Sequence, residues 1–425
     1  MRNEELFLES KKVLVGGVNS PVRAIKPYPF FVSKGQGAKI FDEEGKSYVD
    51  YCLAFGPLIL GHNNPIIRRT VEKRLNSGWC FGTPTSAELE YAKFITSHVP
   101  NVDKIRCVNT GTEATMTAIR LARGFTGRDK IIKIEGAFHG AHDCVLVKAG
   151  SGALTHSVPN SKGIPDDVTK NTILIPFNDV DSLEQALKEN KDQVAALITE
   201  PVIGNAGCIL PEQTYLNEIK KILSEHGSLL ILDEVITGFR LGMGGAQEYF
   251  KVDADIITMG KIVGGGFPIG VMGARNEIMD MITPSGPVYN AGTFNGHPLS
   301  ISAGLATLKM IKEKNILQRI AETGKNLQKG LSDIINDINL GYQVQGIGPM
   351  FQVYFNNKPV WNLDDAKASD ADSFLKYCKS LREKGVYLPP SQFECCFVST
   401  SHDNEILNFS LEQFEAALKE IMITR

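Results

Sequence analysis

Short apolar runs recur through the middle of the chain. They are "IIKIEG" (131–136), "TILIPF" (172–177), "VAALITE" (194–200), "LLILDE" (229–234) and "DIITMG" (255–260). Runs of this length, rich in β-branched residues, predict strands that are covered on both faces of a sheet. Helical patterns lie between some of them. In "TYLNEIKKILSEHG", Leu216, Ile219 and Leu223 share one face, and Gly227 ends the pattern. The alternation predicts an α/β fold with a largely parallel sheet.

The two ends of the chain have a different pattern. The first residues carry short strand signals separated by glycine and proline. Towards the C-terminus, a strand-like "MFQVYF" precedes a helical pattern near 369–384 and an amphipathic last helix. We therefore predict three parts: an N-terminal arm with part of a small domain (1–60), a large domain (61–310) and a C-terminal small α+β domain (311–425).

Composition restricts the kinds of partner. The 425 residues are 43% hydrophobic and 22% charged, which is typical of a soluble globular protein. The net charge of −3 gives no basis for binding nucleic acid or an anionic membrane, and no apolar run reaches the ~18 residues of a membrane span. The eight cysteines are scattered without a Cys-x-x-Cys pair, which favours reduced thiols over disulfides or zinc. We expect a cytoplasmic protein.

Two polar residues follow buried runs at corresponding positions. Asp233 follows the four apolar residues of "LLILDE", and Lys261 follows "DIITMG" shortly before a glycine-rich stretch. Taken singly, Asp233 could cap a helix or form a salt bridge, and Lys261 could be a solvated surface lysine. Together they match the needs of pyridoxal phosphate: a carboxylate for the pyridine nitrogen, and an amine for the Schiff base and proton transfer. Glycines 264–266 would then allow the cofactor to approach the backbone closely.

Further motifs are compatible with this hypothesis. In "VNTGTEATMTAIRLAR", Thr110, Gly111 and Thr112 precede an amphipathic helix whose N-terminus could bind a phosphate, although the same residues could form an ordinary N-cap. Phe138, in "IEGAFHGAHD", could stack on a flat ring. His139 and the histidine three residues later lack further ligands at metal-binding spacing, so we predict no metal. The glycine-rich stretches do not complete a dinucleotide-binding fingerprint.

Six segments, in this order, resemble the class III pyridoxal-phosphate-dependent aminotransferases. They are "NTGTEATMTAIRLAR", "EGAFHGAHD", "LITEPVIGN", "LLILDEVITGFR", "MGKIVGGGFPIG" and "YNAGTFNGHPL". The resemblance implies a fold-type I enzyme with a large domain around a mostly parallel, seven-stranded sheet and a smaller α+β domain. It also implies a homodimer with its active sites at the subunit interface.

The resemblance also implies roles for individual residues. The cofactor would be bound by Thr110, Gly111, Thr112, Phe138, His139, Asp233, Val235 and Lys261, with Thr293 contributed by the neighbouring subunit. The substrate would contact Ser20, Arg23, Phe55, Ser151, Asn205 and Glu394. Segment 145–165 would be a mobile loop that closes over the site. Phe55 stands where the family usually has tryptophan, Phe138 where it has tyrosine, and Thr110 where it has serine.

Three more segments resemble one branch of the family, in which the amino group moves within a single small substrate. They are "GGVNSPVRA" (16–24), "VLVKAGSGALT" (145–155) and "LPPSQFECCFVSTSH" (388–402). Glu394 in the last segment would repel a second carboxylate substrate, which favours this isomerase reaction, with a pyridoxamine form in the cycle. The enzyme that supplies the substrate is a candidate partner. The alternatives are another class III ω-aminotransferase, an amino-acid epimerase, or a binding protein that keeps the fold without the cofactor.

Overall fold

A seven-stranded sheet forms the centre of the structure, a computed structural model in which residues 2–147 and 161–423 are described. The strands of all sheets are β1 (Val32–Gln36), β2 (Lys39–Asp42), β3 (Ser47–Asp50), β4 (Lys104–Val108), β5 (Lys130–Ile134), β6 (Thr172–Ile175), β7 (Val194–Thr199), β8 (Leu229–Glu234), β9 (Ile256–Gly260), β10 (Gly270–Ala274), β11 (Gln343–Ile347), β12 (Met350–Tyr354), β13 (Val386–Tyr387) and β14 (Cys396–Phe397). The central sheet has the order β4-β10-β9-β8-β7-β5-β6. β5 to β9 are parallel, and β10 runs antiparallel to both of its neighbours.

Helices surround this sheet and complete the smaller sheets. They are α1 (Asn3–Val13), α2 (Pro65–Leu75), α3 (Ser86–Thr96), α4 (Gly111–Thr126), α5 (Asp166–Thr169), α6 (Val180–Glu189), α7 (Tyr215–Glu225), α8 (Gly245–Phe250), α9 (Asn276–Met279), α10 (Pro298–Glu313), α11 (Ile316–Asp337), α12 (Leu363–Lys367), α13 (Ala371–Glu383) and α14 (Asn404–Ile423). Within the two described ranges, no helix combines the length and the apolar character that crossing a bilayer requires.

The predicted α/β fold class is confirmed. The five apolar runs form β5 to β9, and every residue of β7 is buried, as expected for a strand covered on both faces. The apolar face predicted for α7 is also buried at Leu216, Ile219 and Leu223. Each such side chain contributes roughly 1.5–3 kcal/mol when removed from water. The sheet is therefore a rigid support for residues at its edge.

The N-terminal and C-terminal segments share a smaller sheet. Its order is β1-β2-β3-β13, and β13 pairs in parallel with β3 through Val386 opposite Val49 and Tyr387 opposite Asp50. A third sheet has the order β11-β12-β14. One apolar core joins Val49 and Val386 to residues of the last helix, such as Phe414. The division into an arm, a large domain and a small domain stays a prediction.

Candidate active site

A cavity of about 700 Å³ opens at the carboxyl ends of β7, β8 and β9. Ligands bind at this edge in open parallel sheets, because the strand ends point into a crevice between the following loops. The predicted site residues that line the cavity are Ser20, Phe55, Thr110, Gly111, Thr112, Phe138, His139, Asn205, Asp233, Val235, Lys261 and Glu394. The structure thus brings together twelve predicted residues from segments that are far apart in the sequence.

Asp233 is buried at the end of β8, where its carboxylate has three partners. Oδ2 lies 2.7 Å from His139 Nδ1, and Oδ1 accepts hydrogen bonds from Val235 N at 3.0 Å and Thr258 Oγ1 at 3.1 Å. Thr258 comes from the neighbouring strand β9, directly opposite Asp233. These bonds compensate for the burial of the charge and fix its orientation. Asp233 therefore presents a fixed carboxylate to the cavity.

His139 supports this carboxylate from the side. Its Nδ1–H donates to Asp233, because an ionised carboxylate can only accept. Burial lowers the pKa of His139, while the contact with Asp233 acts in the opposite direction. The second histidine of the motif, His142, contacts Cys144 Sγ at 3.1 Å and Thr115 Oγ1 at 3.4 Å. The two histidines thus have separate protein partners.

Lys261 turns out of β9 at its carboxyl end. Its φ angle of 49° lies in the left-handed region, which is uncommon for a residue with a side chain. Its half-buried side chain lines the cavity, and its Nζ donates to the carbonyl oxygen of Phe55 at 2.7 Å. Burial lowers the pKa of Lys261, Glu394 opposes this shift, and Arg240 adds to it. A larger fraction of its amine is therefore neutral and able to act as a nucleophile.

The N-terminus of α4 forms the predicted anion cradle. Thr110 caps the helix by accepting from Glu113 N at 3.1 Å, and helix geometry leaves the N–H groups of Gly111 and Thr112 without intrahelical acceptors. A Cβ at Gly111 would lie 3.1 Å from the methyl carbons of Val235. A side chain at this position would therefore force Val235 to shift by a few tenths of an ångström, and glycine avoids this. The helix end is suited to binding a phosphate.

Two apolar side chains line the cavity together with Asp233. Phe138 follows β5 and is 38% exposed at the cavity, and Val235 lies in the turn after β8. An aromatic ring and a branched aliphatic chain can hold a flat heteroaromatic ring between them. Of the glycines after Lys261, Gly266 lines the cavity, whereas Gly264 and Gly265 pack against the protein. A Cβ at Gly264 would lie 2.7 Å from Ile269 Cγ2, and one at Gly265 would lie 2.5 Å from the Ala303 carbonyl oxygen, so packing within the protein requires both.

Glu200 is a buried site residue that the sequence analysis did not assign. Oε1 accepts from Phe138 N at 3.0 Å, and Oε2 accepts from Gly204 N at 2.9 Å and Asn205 Nδ2 at 3.0 Å. Burial, and to a smaller degree Asp233, raise its pKa to about 7. Glu200 directly follows the apolar run of β7, and Asp233 directly follows the apolar run within β8. The same pattern, a carboxylate after a buried apolar run, could therefore have identified Glu200. Other lining residues not predicted are Asn109, Thr115, Ile236 and Pro268.

Two predicted site residues line other cavities. Arg23 lines an adjoining cavity of about 450 Å³, which also contacts Phe55. Thr293 lies in a separate surface groove together with Cys80 and Phe81. Ser151 lies outside the described residues, as does most of the predicted closing loop 145–165. Their substrate and cofactor roles stay predictions.

The lining residues fit pyridoxal phosphate. The helix end at Gly111 can take the phosphate, Asp233 can take the protonated pyridine nitrogen, and Phe138 and Val235 can cover the ring. Lys261 can form the covalent link to the carbonyl carbon. The cradle and the carboxylate are fixed by hydrogen bonds within the protein.

Comparison with known proteins gives a consistent result. Residues 22–418 match the family model described as aminotransferase class-III. The chain is 54% identical over 417 residues to glutamate-1-semialdehyde 2,1-aminomutase of Methanothrix thermoacetophila, covering 98% of this chain and 96% of the relative. It is 55% identical over 414 residues to the enzyme of the same name from Methanocaldococcus jannaschii, covering 97% of each. The solved structure of an omega-transaminase from Sphaerobacter thermophilus superposes with a TM-score of 0.92 at 31% identity, covering 99% and 98%.

Proposed function

The chain belongs to the class III aminotransferases, and from this premise we propose that it converts glutamate-1-semialdehyde to 5-aminolevulinate, a precursor of tetrapyrroles. The aldehyde carbon of the substrate would gain an amino group from the pyridoxamine form to give 4,5-diaminovalerate, and the neighbouring carbon would then give up its own amino group, which restores the pyridoxamine form. The names of relatives at 54% and 55% identity over nearly the full length support this activity. The enzyme would be an isomerase.

Pyridoxal phosphate is the cofactor, and when bound it supplies a ring that withdraws electrons from the reacting carbon. The protein provides the rest of the chemistry. Asp233 would keep the pyridine nitrogen protonated, and His139 fixes the orientation of Asp233. The amine of Lys261 would hold the cofactor and would take up and return the proton of the substrate carbon. Ser20 and Asn205 line the same cavity and would contact the substrate.

The position of Glu394 carries the choice between isomerase and ordinary aminotransferase. Its buried side chain lines the same cavity as Lys261. Of the neighbouring charges, Glu394 has the largest effect on the pKa of that lysine, which it raises. A carboxylate there repels the second carboxylate of a substrate such as 2-oxoglutarate, but attracts the amines of a diamino acid. An ordinary aminotransferase must bind the carboxylates of a second substrate such as 2-oxoglutarate favourably. Glu394 therefore favours amino transfer within one substrate.

The alternative is an ω-aminotransferase that uses a second keto acid. One observation favours it, namely the TM-score of 0.92 to the Sphaerobacter thermophilus omega-transaminase. A direct assay separates the two activities. The protein loaded with pyridoxamine phosphate is given glutamate-1-semialdehyde without any other amino donor or acceptor, and 5-aminolevulinate is measured. Absence of 5-aminolevulinate, together with activity once a keto acid is added, would favour the ω-aminotransferase.

We also propose that the protein is a homodimer in which Thr293 reaches the neighbouring site. The groove that contains Thr293 lies beside exposed aromatic side chains, among them Phe81 and Phe294, at 47% and 55% exposure. Exposed aromatic residues of this kind are typical of subunit interfaces. Light scattering of the purified protein would contradict this proposal if it gave the mass of one chain. A cytoplasmic location is part of the same proposal, supported by eight free cysteines.

A further inference from the structure

Three consecutive non-glycine residues beside the cavity have left-handed backbone angles. The φ angles of Leu53, Ala54 and Phe55 are 46°, 56° and 65°, and Gly56 follows at 114°. A Cβ disfavours this region because it approaches the following carbonyl oxygen. Such a conformation persists only where surrounding contacts impose it, and such places often lie at functional sites. We refer to residues 53–56 as the left-handed turn.

Asp50 fixes the beginning of the left-handed turn. Its Oδ1 accepts the backbone N–H groups of Cys52 at 2.8 Å and Leu53 at 3.0 Å. Its Oδ2 lies 2.7 Å from Nε2 of His62. One oxygen of this buried carboxylate therefore holds the start of the turn, and the other is engaged by His62.

Arg240 fixes the other end. Its Nη2 donates to the carbonyl oxygen of Gly56, its Nε donates to Ile236 O at 2.8 Å, and its guanidinium lies 4.5 Å from the centre of the Phe397 ring. Arg240 is only 1% exposed. Within residues 2–147 and 161–423 no carboxylate pairs with it, and its Nη1 has no hydrogen-bond partner. Burying an unpaired cation is unfavourable, so a role other than stability is expected for it.

The left-handed turn presents a carbonyl group to the cavity. Between the two fixed ends, the oxygen of Phe55 accepts the hydrogen bond from Lys261 Nζ at 2.7 Å. Arg240 also acts on this amine through its charge, since it adds to the effect of burial in lowering the pKa of Lys261. Arg240 therefore influences both the position and the charge of the lysine without touching the substrate.

We propose that Arg240 is a positioning residue for Lys261. It holds the left-handed turn so that the Phe55 carbonyl gives the ε-amine of Lys261 one fixed resting position whenever that amine is not joined to the cofactor. This inference rests on the proposed cofactor role of Lys261. An enzyme that moves an amino group out of one substrate and back into it needs the same amine for proton transfer more than once per turnover. A displacement of about 1 Å can cost about 100-fold in rate, so a fixed position matters.

The substitution Arg240→Lys tests this, because it keeps the positive charge and removes the planar fork of N–H donors. Cofactor-free protein is mixed with pyridoxal phosphate, and the rate at which the visible absorbance band appears is measured. We expect this rate to fall about tenfold or more, and kcat to fall with KM nearly unchanged. In a crystal structure of the cofactor-free variant, Lys261 Nζ should lie beyond hydrogen-bond distance of the Phe55 oxygen.

Arg128→Gln is the matched control. Arg128 also holds backbone carbonyls, those of Val194, His226 and Gly227, but it lies away from the cavity. The substitution Arg128→Gln should lower the melting temperature and leave the rate of cofactor binding unchanged. If Arg240→Lys behaves like this control, the proposal is wrong. If Arg240→Lys does not fold, Phe397→Leu replaces it under the same criteria. The rate of cofactor binding is measured without substrate, so this readout does not depend on the outcome of the isomerase assay.

Discussion

Lys133 lies in a strand of the central sheet and Lys261 directly follows another strand of it, and burial lowers the pKa of both, to about 7 for Lys133. Their surroundings differ. Lys133 lies inside β5, fully buried, and its Nζ donates to the carbonyl oxygen of the next residue, Ile134, at 3.2 Å. Lys261 is the first residue after β9, and its Nζ reaches Phe55 across the cavity. Two lysines whose pKa is lowered by burial thus have very different access to a ligand.

Position along the strand explains this difference. Inside a parallel sheet, both faces are covered by other elements, whereas residues past the carboxyl ends face the crevice where ligands bind. Lys133 pairs laterally with Leu174 on β6 and Ile198 on β7, so its strand continues past it. A lowered lysine pKa therefore does not by itself indicate a nucleophile. The amine must also lie where the strand ends.

The largest expected difference between the two lysines is in binding of the cofactor. We expect Lys261→Ala to lose the visible absorbance band after addition of pyridoxal phosphate. Its activity should fall by more than about 10³-fold, because general acid–base catalysis alone typically contributes about 10²–10⁴. Absorbance spectra of the purified variants and the isomerase assay measure both effects.

Lys133→Met is the control for this experiment, since it removes another lysine of the central sheet whose pKa is lowered by burial. It should keep the absorbance band. The comparison fails if Lys133→Met loses the band while remaining folded, because Lys133 would then take part in cofactor binding in spite of its depth.

A smaller effect should follow from Glu394→Gln, which removes a charge that acts on Lys261. The carboxylate of Glu394 raises the pKa of Lys261, against the larger effect of burial. Without it, the pKa should fall further, and the pH midpoint for binding of pyridoxal phosphate by the cofactor-free protein should move to lower pH. The variant should also release more of the diamino acid or transaminate a second substrate. A midpoint that moves to higher pH would contradict the claim that the carboxylate of Glu394 raises the pKa of Lys261.

The sequence was sufficient to predict the wall of the cavity that the sheet provides. Asp233, Lys261 and the Thr110–Thr112 cradle each adjoin a strand or helix whose apolar pattern is clear, so their shared location follows from the rule for parallel sheets. Glu200 carried the same signal and was overlooked. Lys133 interrupts an apolar strand, but periodicity does not reveal how deep a strand lies.

The opposite wall could not be predicted in this way. Arg240 and Gly56 are 184 residues apart, and Lys261 and Phe55 are 206 apart. Their contacts depend on how the N-terminal segment packs against the sheet, and no local pattern encodes this packing. The left-handed angles of Leu53 to Phe55 contradict the intrinsic preference of these residues, so local propensity would have predicted another conformation.

The smallest predicted effect concerns stability and isolates Lys133. Its pKa is about 7 in the folded protein and 10.5 for an unperturbed lysine. Between these values the unfolded chain binds more protons than the folded one, so this residue makes the free energy of unfolding rise with pH across that range. The variant Lys133→Met lacks this pH-dependent contribution to the free energy of unfolding. Near pH 7 it should be neutral or more stable by up to about 4 kcal/mol, because a methionine can be buried without a charge. Its advantage should shrink as the pH approaches 10. Denaturant unfolding of both proteins at several pH values measures the difference, and parallel pH dependences would mean that Lys133 stays protonated in the folded sheet.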